Sequence, residues 1–128
     1  MSVVLDASAL LAALLDEPGG EQVDAVIDGA VMTTVNLAEV VGQYAKAGAD
    51  RAAISAVLAG LPIVYMAPDE ELAIDVGLMR PMAERFGLSL GDRMCLAQAR
   101  RLGATAMTAD RAWTTAAGPM KVKVEVIR

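Results

Sequence analysis

Val3-Val4-Leu5-Asp6-Ala7-Ser8-Ala9-Leu10 is the stretch on which the reading of this chain turns. Three consecutive apolar residues read as a strand buried on both faces, because a half-exposed strand would alternate. From Ser8 to Leu15 the pattern reads as a helix, which Pro18-Gly19-Gly20 stops. Asp6 sits between the two. An acid ending a buried strand is uncommon, and it has no local task unless it caps the helix from Ser8 onward.

The same alternation of short apolar run and helix continues downstream. Val23, Val26 and Ile27 mark a short second helix ending near Gly29, and Val31-Met32-Thr33-Thr34 reads as a strand. Leu37, Val40, Val41, Tyr44 and Ala45 then recur at helical spacing up to Gly48. Asp50 caps a further helix with Ile54, Val57 and Leu58 inward, closing at Gly60. Ile63 to Met66 reads as the third strand, between Pro62 and Pro68. Asp69 opens a helix carrying Leu72, Ala73 and Val76, and Pro81 should kink it or split it. Asp92 opens a helix with Cys95, Leu96, Ala99 and Leu102, leading to a fourth strand over Ala104 to Met107. Val122, Val124 and Val126 alternate with Lys123 and Glu125, as in a half-exposed fifth strand. Strands separated by helices predict an α/β fold: one five-stranded parallel sheet flanked by helices on both faces. No repeat or linker divides residues 1–128, so a single domain is expected.

Composition narrows the function classes. The chain has 128 residues, 55% of them hydrophobic, which excludes a disordered chain. The longest charge-free run, Ala52 to Pro68, is too short for a membrane span and is broken by Gly60 and Pro62. No basic segment precedes the first apolar run, so no secretory leader is expected. A lone cysteine, Cys95, excludes an internal disulfide and suits a reducing cytoplasm. With 16 acids against 11 bases, the chain does not resemble proteins that coat nucleic acid by charge alone. Histidine is absent, so any chemistry must run on carboxylates, lysine or arginine.

Four acids stand where a parallel sheet binds ligands, beyond the carboxyl ends of its strands. Asp6 follows the first strand, Glu39 lies in the first turn of the helix after the second, and Asp110 follows the fourth. Asp92 opens the helix that leads into the fourth strand and can join them. Crowded carboxylates repel one another and persist when protons or cations neutralise them. An all-oxygen ligand set favours magnesium or manganese over zinc. Each acid also has a local role open to it. Asn36-x-x-Glu39 has the spacing of a capping box with Asn36 at the N-cap, Asp92 after Gly91 can cap its helix, and Asp110 can serve a turn. Ser8, Asn36 and Thr108 lie beside the acids, placed either to orient carboxylates or to cap. Arg93 and Arg111 each follow one of the acids, as phosphate-binding forks or as solvated surface charges. Cys95 falls on an apolar helix face as an inert thiol, Trp113 packs at the sheet edge, and Lys121 and Lys123 are strand-face charges.

Four segments together resemble the PIN-domain ribonucleases, and among them the VapC-type toxins of toxin–antitoxin modules. They are Val3 to Leu10, Thr33-Thr34-Val35-Asn36-Leu37-Ala38-Glu39-Val40, Leu88-Ser89-Leu90-Gly91-Asp92-Arg93-Met94-Cys95-Leu96-Ala97, and Thr108-Ala109-Asp110-Arg111-Ala112-Trp113. The resemblance runs in order over nearly the whole chain. It implies a PIN-like domain in which Asp6, Glu39, Asp92 and Asp110 form an acidic site, with Ser8 and Thr108 beside it. Asp6 with Asp92 or Asp110 would hold Mg2+ or Mn2+, and Glu39 would orient water or act as general base. It implies hydrolysis of structured RNA such as tRNA or rRNA, a VapB-like antitoxin that covers the site, and a homodimer. Two departures stand out: the chain is acidic for an enzyme directed at RNA, and Pro81 interrupts a helix.

Two rival readings remain open in the sequence. One is a binding-only module that docks RNA or an antitoxin without cutting. The other is a receiver-like signalling domain, which needs an aspartate just after the third strand and a lysine after the fifth. Asp69 lies three residues past Met66, and no lysine follows Val126. The apolar helices over Leu10 to Leu15 and Leu37 to Ala45 either offer a groove to an antitoxin helix or pack on each other.

Overall fold

The computed structural model describes residues 2–128. Strand β1 (Val3–Leu5) leads into helices α1 (Ala7–Leu14) and α2 (Gly20–Asp24). Strand β2 (Val31–Thr33) runs straight into α3 (Thr34–Lys46), followed by α4 (Arg51–Ala59). Strand β3 (Val64–Met66) precedes α5 (Glu70–Leu78), α6 (Arg80–Phe86) and α7 (Leu90–Leu102). Strand β4 (Thr105–Thr108), α8 (Trp113–Met120) and β5 (Lys123–Val126) follow.

All five strands are parallel, in the order β3-β2-β1-β4-β5. The chain steps outward from β1 to β3, then crosses back to lay β4 on the other side of β1. The order therefore reverses between β1 and β4, and such a switch point opens a crevice at the carboxyl ends of the two strands. A receiver-like domain has the order 2-1-3-4-5 instead, so the topology removes that reading. Asp69, the acid it would have used, caps α5 and pairs with Arg101 on the surface.

The pleat divides the core. Val4 aligns with Val31 and Ala106 and packs toward Leu72, Val76, Leu96 and Trp113. Leu5 aligns with Met107 and points the other way, toward Leu10, Val23 and Val40. Both Val4 and Leu5 are fully buried, which is why β1 lacks alternation in sequence. Each such side chain contributes about 1.5–3 kcal/mol on leaving water. Helix starts are set locally: Asp6, Thr33, Asp50, Asp69 and Ser89 all have extended backbone, and each side chain accepts a first-turn N–H. Pro81 splits the helix as expected, falling in the first turn of α6 where its missing donor costs nothing.

Several local expectations are corrected. Residues 113–120 form α8, which Thr114-Thr115 and Gly118-Pro119 conceal. Its signal was the spacing of Trp113, Ala116 and Met120, all buried. Trp113 is fully buried, in the core cluster that Val124 of the edge strand β5 packs against. Val57 and Leu102 are exposed, and Lys121 ends α8 in the left-handed region (φ 56°) instead of standing on a strand. Among the described residues, no helix is long and apolar enough to cross a membrane.

Gly20 lets α1 and α2 meet backbone to backbone: a Cβ there would run into the Ala12 carbonyl. Gly20→Ala is therefore expected to destabilise the protein by about 1–3 kcal/mol, the usual scale of overpacking. Urea unfolding measures it, and an unchanged midpoint would show that α2 can shift freely.

Candidate active site

Asp6, Glu39, Asp92 and Asp110 line one cleft of about 260 Å3, together with Ala7, Ser8, Leu11 and Gln43. The cleft lies at the switch point between β1 and β4. Its acids come from four separate elements: the end of β1, the second turn of α3 (Glu39 stands one turn further in than the sequence suggested), the first turn of α7, and the loop after β4. They form a gradient of exposure. Asp6 is buried at the floor, Asp92 is half-buried, and Glu39 and Asp110 stand exposed at the rim.

Asp6 is the most constrained of the four. Thr108 Oγ1 donates to Asp6 Oδ2 at 2.6 Å, and Ser8 Oγ donates to Oδ1 at 2.7 Å. The Ala9 N–H also donates to Oδ1, at 2.8 Å, so Asp6 is the N-cap of α1. Each hydroxyl oxygen in turn accepts a backbone N–H from the loop after β4, Ala109 on Ser8 (2.9 Å) and Asp110 on Thr108 (3.0 Å). One carboxylate thereby ties β1, α1 and the Asp110 loop together. Burial pushes the Asp6 carboxyl from its ordinary 3.8 up to about 6, against the bonds from Thr108, Ala9 and Ser8, with the Asp92 charge adding to the rise. Burial also raises Asp92, against its Ser89 bonds, and Asp110 adds to that.

The other acids also carry local duties. Ser89, not Asp92, is the N-cap of α7. Asp92 closes the capping box from the third position, with Oδ2 accepting the Ser89 N–H at 2.9 Å. Thr33, not Asn36, caps α3, and no capping box forms there. Instead Asn36 Nδ2 donates to Glu39 Oε1 (2.8 Å) and to the Gly91 carbonyl (3.1 Å), joining α3 to α7. Asp110 Oδ1 accepts the Ala112 N–H at 2.9 Å, in the turn before α8.

The two arginines point elsewhere. Arg93 Nη1 donates to the Val76 carbonyl of α5 at 3.1 Å, and Arg111 Nε to the Arg128 carbonyl at 2.9 Å. Neither lines the cleft. Cys95 is fully buried, with burial first and then Asp6, Asp92 and Glu39 pushing its thiol well above the usual range. It is unsuited to act as a nucleophile. Gly91, which the sequence reading passed over, adjoins Glu39 so closely that its own Cβ would collide with that carboxylate.

The donor set can be tested against a cation. Among the described residues, the four cleft acids form no ion pair, whereas Asp69, Glu71, Glu84 and Glu17 all do. A buried carboxylate with a raised pKa and no basic neighbour is short of positive charge. No three of the described carboxyls close into a ready-made cage. A hard cation that keeps several waters needs no such cage and takes one or two carboxylates directly. The residues fit a hydrated Mg2+ or Mn2+ and lack the nitrogen or sulfur donors typical of zinc sites.

Comparison with known proteins places the family and the fold. The PIN domain family model matches residues 3–119, and the chain belongs to that family. The fold is similar to the DNA-bound VapBC structure from Salmonella typhimurium, with a TM-score of 0.77 at 18% identity over 100% of this chain and 99% of that one. It is also similar to VapBC-5 from Mycobacterium tuberculosis (TM-score 0.62, 24% identity, 99% and 98% covered). A third similar fold is VapC20 from the same organism, described as a sarcin–ricin loop cleaving toxin (0.70, 17%, 89% and 94%). No curated protein matches the chain significantly.

Asp6 makes a signed prediction for stability. Its folded pKa of about 6 lies above the ordinary 3.8, so the folded state holds the proton longer than the unfolded one. Below both values burial carries no charge cost. The cost builds as pH rises through that window and is complete above it, at about 3 kcal/mol from the size of the shift. In chelator, Asp6→Asn should gain stability relative to the unsubstituted protein as pH rises from about 4 to 7. Urea unfolding across that range checks it. A gap independent of pH would mean that burial does not raise the Asp6 carboxyl.

Proposed function

We propose that this protein is a metal-dependent endoribonuclease toxin of the VapC type, cutting structured RNA such as tRNA or rRNA under the control of a VapB-like antitoxin. The observation that carries the reading is the convergence of four unpaired acids, from four elements of a PIN-family chain, on one cleft at the switch point. Asp6, Asp92 and Asp110 are the residues that would hold Mg2+ or Mn2+. When bound, that ion supplies Lewis acidity and a locally acidified water for phosphodiester hydrolysis.

The chain's own groups have separable tasks. Thr108 and Ser8 spend their hydroxyl protons on Asp6, keeping that carboxylate ionised and aimed despite its burial. Glu39 engages Asn36 through Oε1 at an exposed rim position, which leaves Oε2 to orient water or take its proton. Asp110, on a loop pinned by Ser8 and Thr108, completes the negative rim. A low-charge approach for RNA is not built into the cleft, so substrate binding depends on neutralisation of these acids.

The antitoxin reading has its own support. Leu11, Leu15, Gln43, Tyr44 and Ala47 line a groove of about 280 Å3 between α1 and α3. It shares Leu11 and Gln43 with the acidic cleft, so an amphipathic antitoxin helix lying there would also cover the acids. Two of the similar structures above are VapBC toxin–antitoxin pairs. Self-association into a homodimer is proposed through α5, which leaves Ile74 and Leu78 exposed one turn apart. The buried free thiol of Cys95 suits a reducing cytoplasm.

Purified protein, freed of any antitoxin, should cut total cellular RNA into discrete fragments with Mg2+ or Mn2+. Chelator should stop the cutting, and Asp6→Asn should reduce it by at least about a hundredfold. Intact RNA with a folded, metal-supplied protein would shift the reading to a binding module.

A further inference from the structure

Gly91 is a glycine that its own backbone does not require. It is the second residue of α7, and it is not among the glycines with positive φ. A helix at that point prefers alanine. The reason for glycine lies across the cleft on α3. A Cβ at position 91 would stand 2.5 Å from Glu39 Oε1, 2.7 Å from Oε2 and 2.7 Å from Cδ. The Glu39 carboxylate occupies the space where a side chain would be.

That carboxylate is also held in place. Asn36, 1% exposed, donates through Nδ2 to both Glu39 Oε1 and the Gly91 carbonyl. Asn36 is fixed in turn by Thr33, whose Oγ1 donates to Asn36 Oδ1 at 2.7 Å and accepts the Asn36 N–H at 3.2 Å. The amide and the missing side chain thus work as a latch between the first turns of α3 and α7. Because Asp92 follows Gly91, the latch sets the spacing of Glu39 and Asp92 across the cleft.

We propose that Gly91 is a positioning residue, whose absent side chain and carbonyl, with Asn36, seat the Glu39 carboxylate beside Asp92. Its consequence for catalysis rests on the nuclease reading above; the seating itself does not. A methyl group at 91 would drive Glu39 off Asn36 and out toward solvent, leaving the fold intact and the site misaligned.

A double-mutant cycle tests this without metal or RNA. In the Glu39→Ala background, Gly91→Ala should raise the folding constant about threefold, the ordinary gain of alanine over glycine in a helix. In the unsubstituted protein the gain should vanish or reverse, giving a coupling of about tenfold between the two positions. Glu39→Gln keeps the shape without the charge, so Gly91→Ala should behave there as in the unsubstituted protein. Glu39→Ser, which also clears the space at Gly91, serves as the reference if Glu39→Ala folds poorly. In the nuclease assay, Gly91→Ala should lower kcat about a hundredfold with little change in KM, as a misplaced group does. Equal effects of Gly91→Ala in all backgrounds, or undiminished kcat, would overturn the proposal. If the unsubstituted protein cuts nothing, the nuclease reading fails, and the folding cycle alone decides the latch.

Discussion

A single buried carboxylate organises the middle of this molecule. Asp6 ends the central strand, starts the first helix and receives hydroxyl protons from Ser8 and from Thr108 on the neighbouring strand. Those hydroxyls accept N–H groups from the loop carrying Asp110. The two strands flanking the switch point are therefore registered by side-chain bonds as well as by the ladder, which Asp6 N–H extends to the Met107 carbonyl at 3.1 Å. Bonds to charged groups are worth about 1.5–3 kcal/mol each, against the larger cost of leaving such a group unpaired inside. Asp6 stays buried on three donors, two on Oδ1 and one on Oδ2, and Oδ2 keeps acceptor capacity beyond its bond from Thr108.

The same arrangement concentrates negative charge. Burial raises both Asp6 and Asp92, and the neighbouring charge adds to each, Asp92 to Asp6 and Asp110 to Asp92. Outside the cleft, Asp69, Glu71, Glu84 and Glu17 pair with arginines on the surface, whereas the cleft gathers four acids with no basic residue in its lining. Stability is given up locally where positive charge from outside is expected, a common trade at functional sites. The acids are also spaced by their local bonds: Asp92 to Ser89, Glu39 to Asn36, Asp110 to Ala112. That spacing leaves room for water between carboxylates, as a hydrated cation needs.

Each functional candidate is thus also a structural one. Asp6 caps α1, Asp92 closes a capping box, and Asp110 makes a turn. Asking whether each residue caps or catalyses poses a false choice, because the first turn of a helix at the carboxyl edge of a parallel sheet is at once a place to cap and a place to bind. Glu39 differs, since its partner is a side chain that also reaches a second helix. Its placement depends on contacts 55 residues apart in the chain.

By itself the sequence determined the α/β architecture and which edge of the sheet carries the acids. Unbroken apolar runs such as Val3-Val4-Leu5 leave no alternative to a two-sided core, and acids directly after strands share the carboxyl edge of any parallel sheet. The split at Pro81 was equally legible, because a missing N–H acts locally. The tertiary structure alone decided the rest. Arg93 and Arg111 turn away from the cleft because backbone carbonyls of α5 and of Arg128 are there to receive them. The true caps, Thr33 and Ser89, lie three residues before Asn36 and Asp92, and only backbone dihedrals distinguish the alternatives. Helix α8 forms because Trp113, Ala116 and Met120 find a core to enter, against Thr114-Thr115 and Gly118-Pro119, which argue for a loop. The need for glycine at 91 was invisible because its cause is a carboxylate on another helix. Local sequence encodes what neighbouring residues impose on one another; contacts between distant segments exist only once the chain has closed on itself.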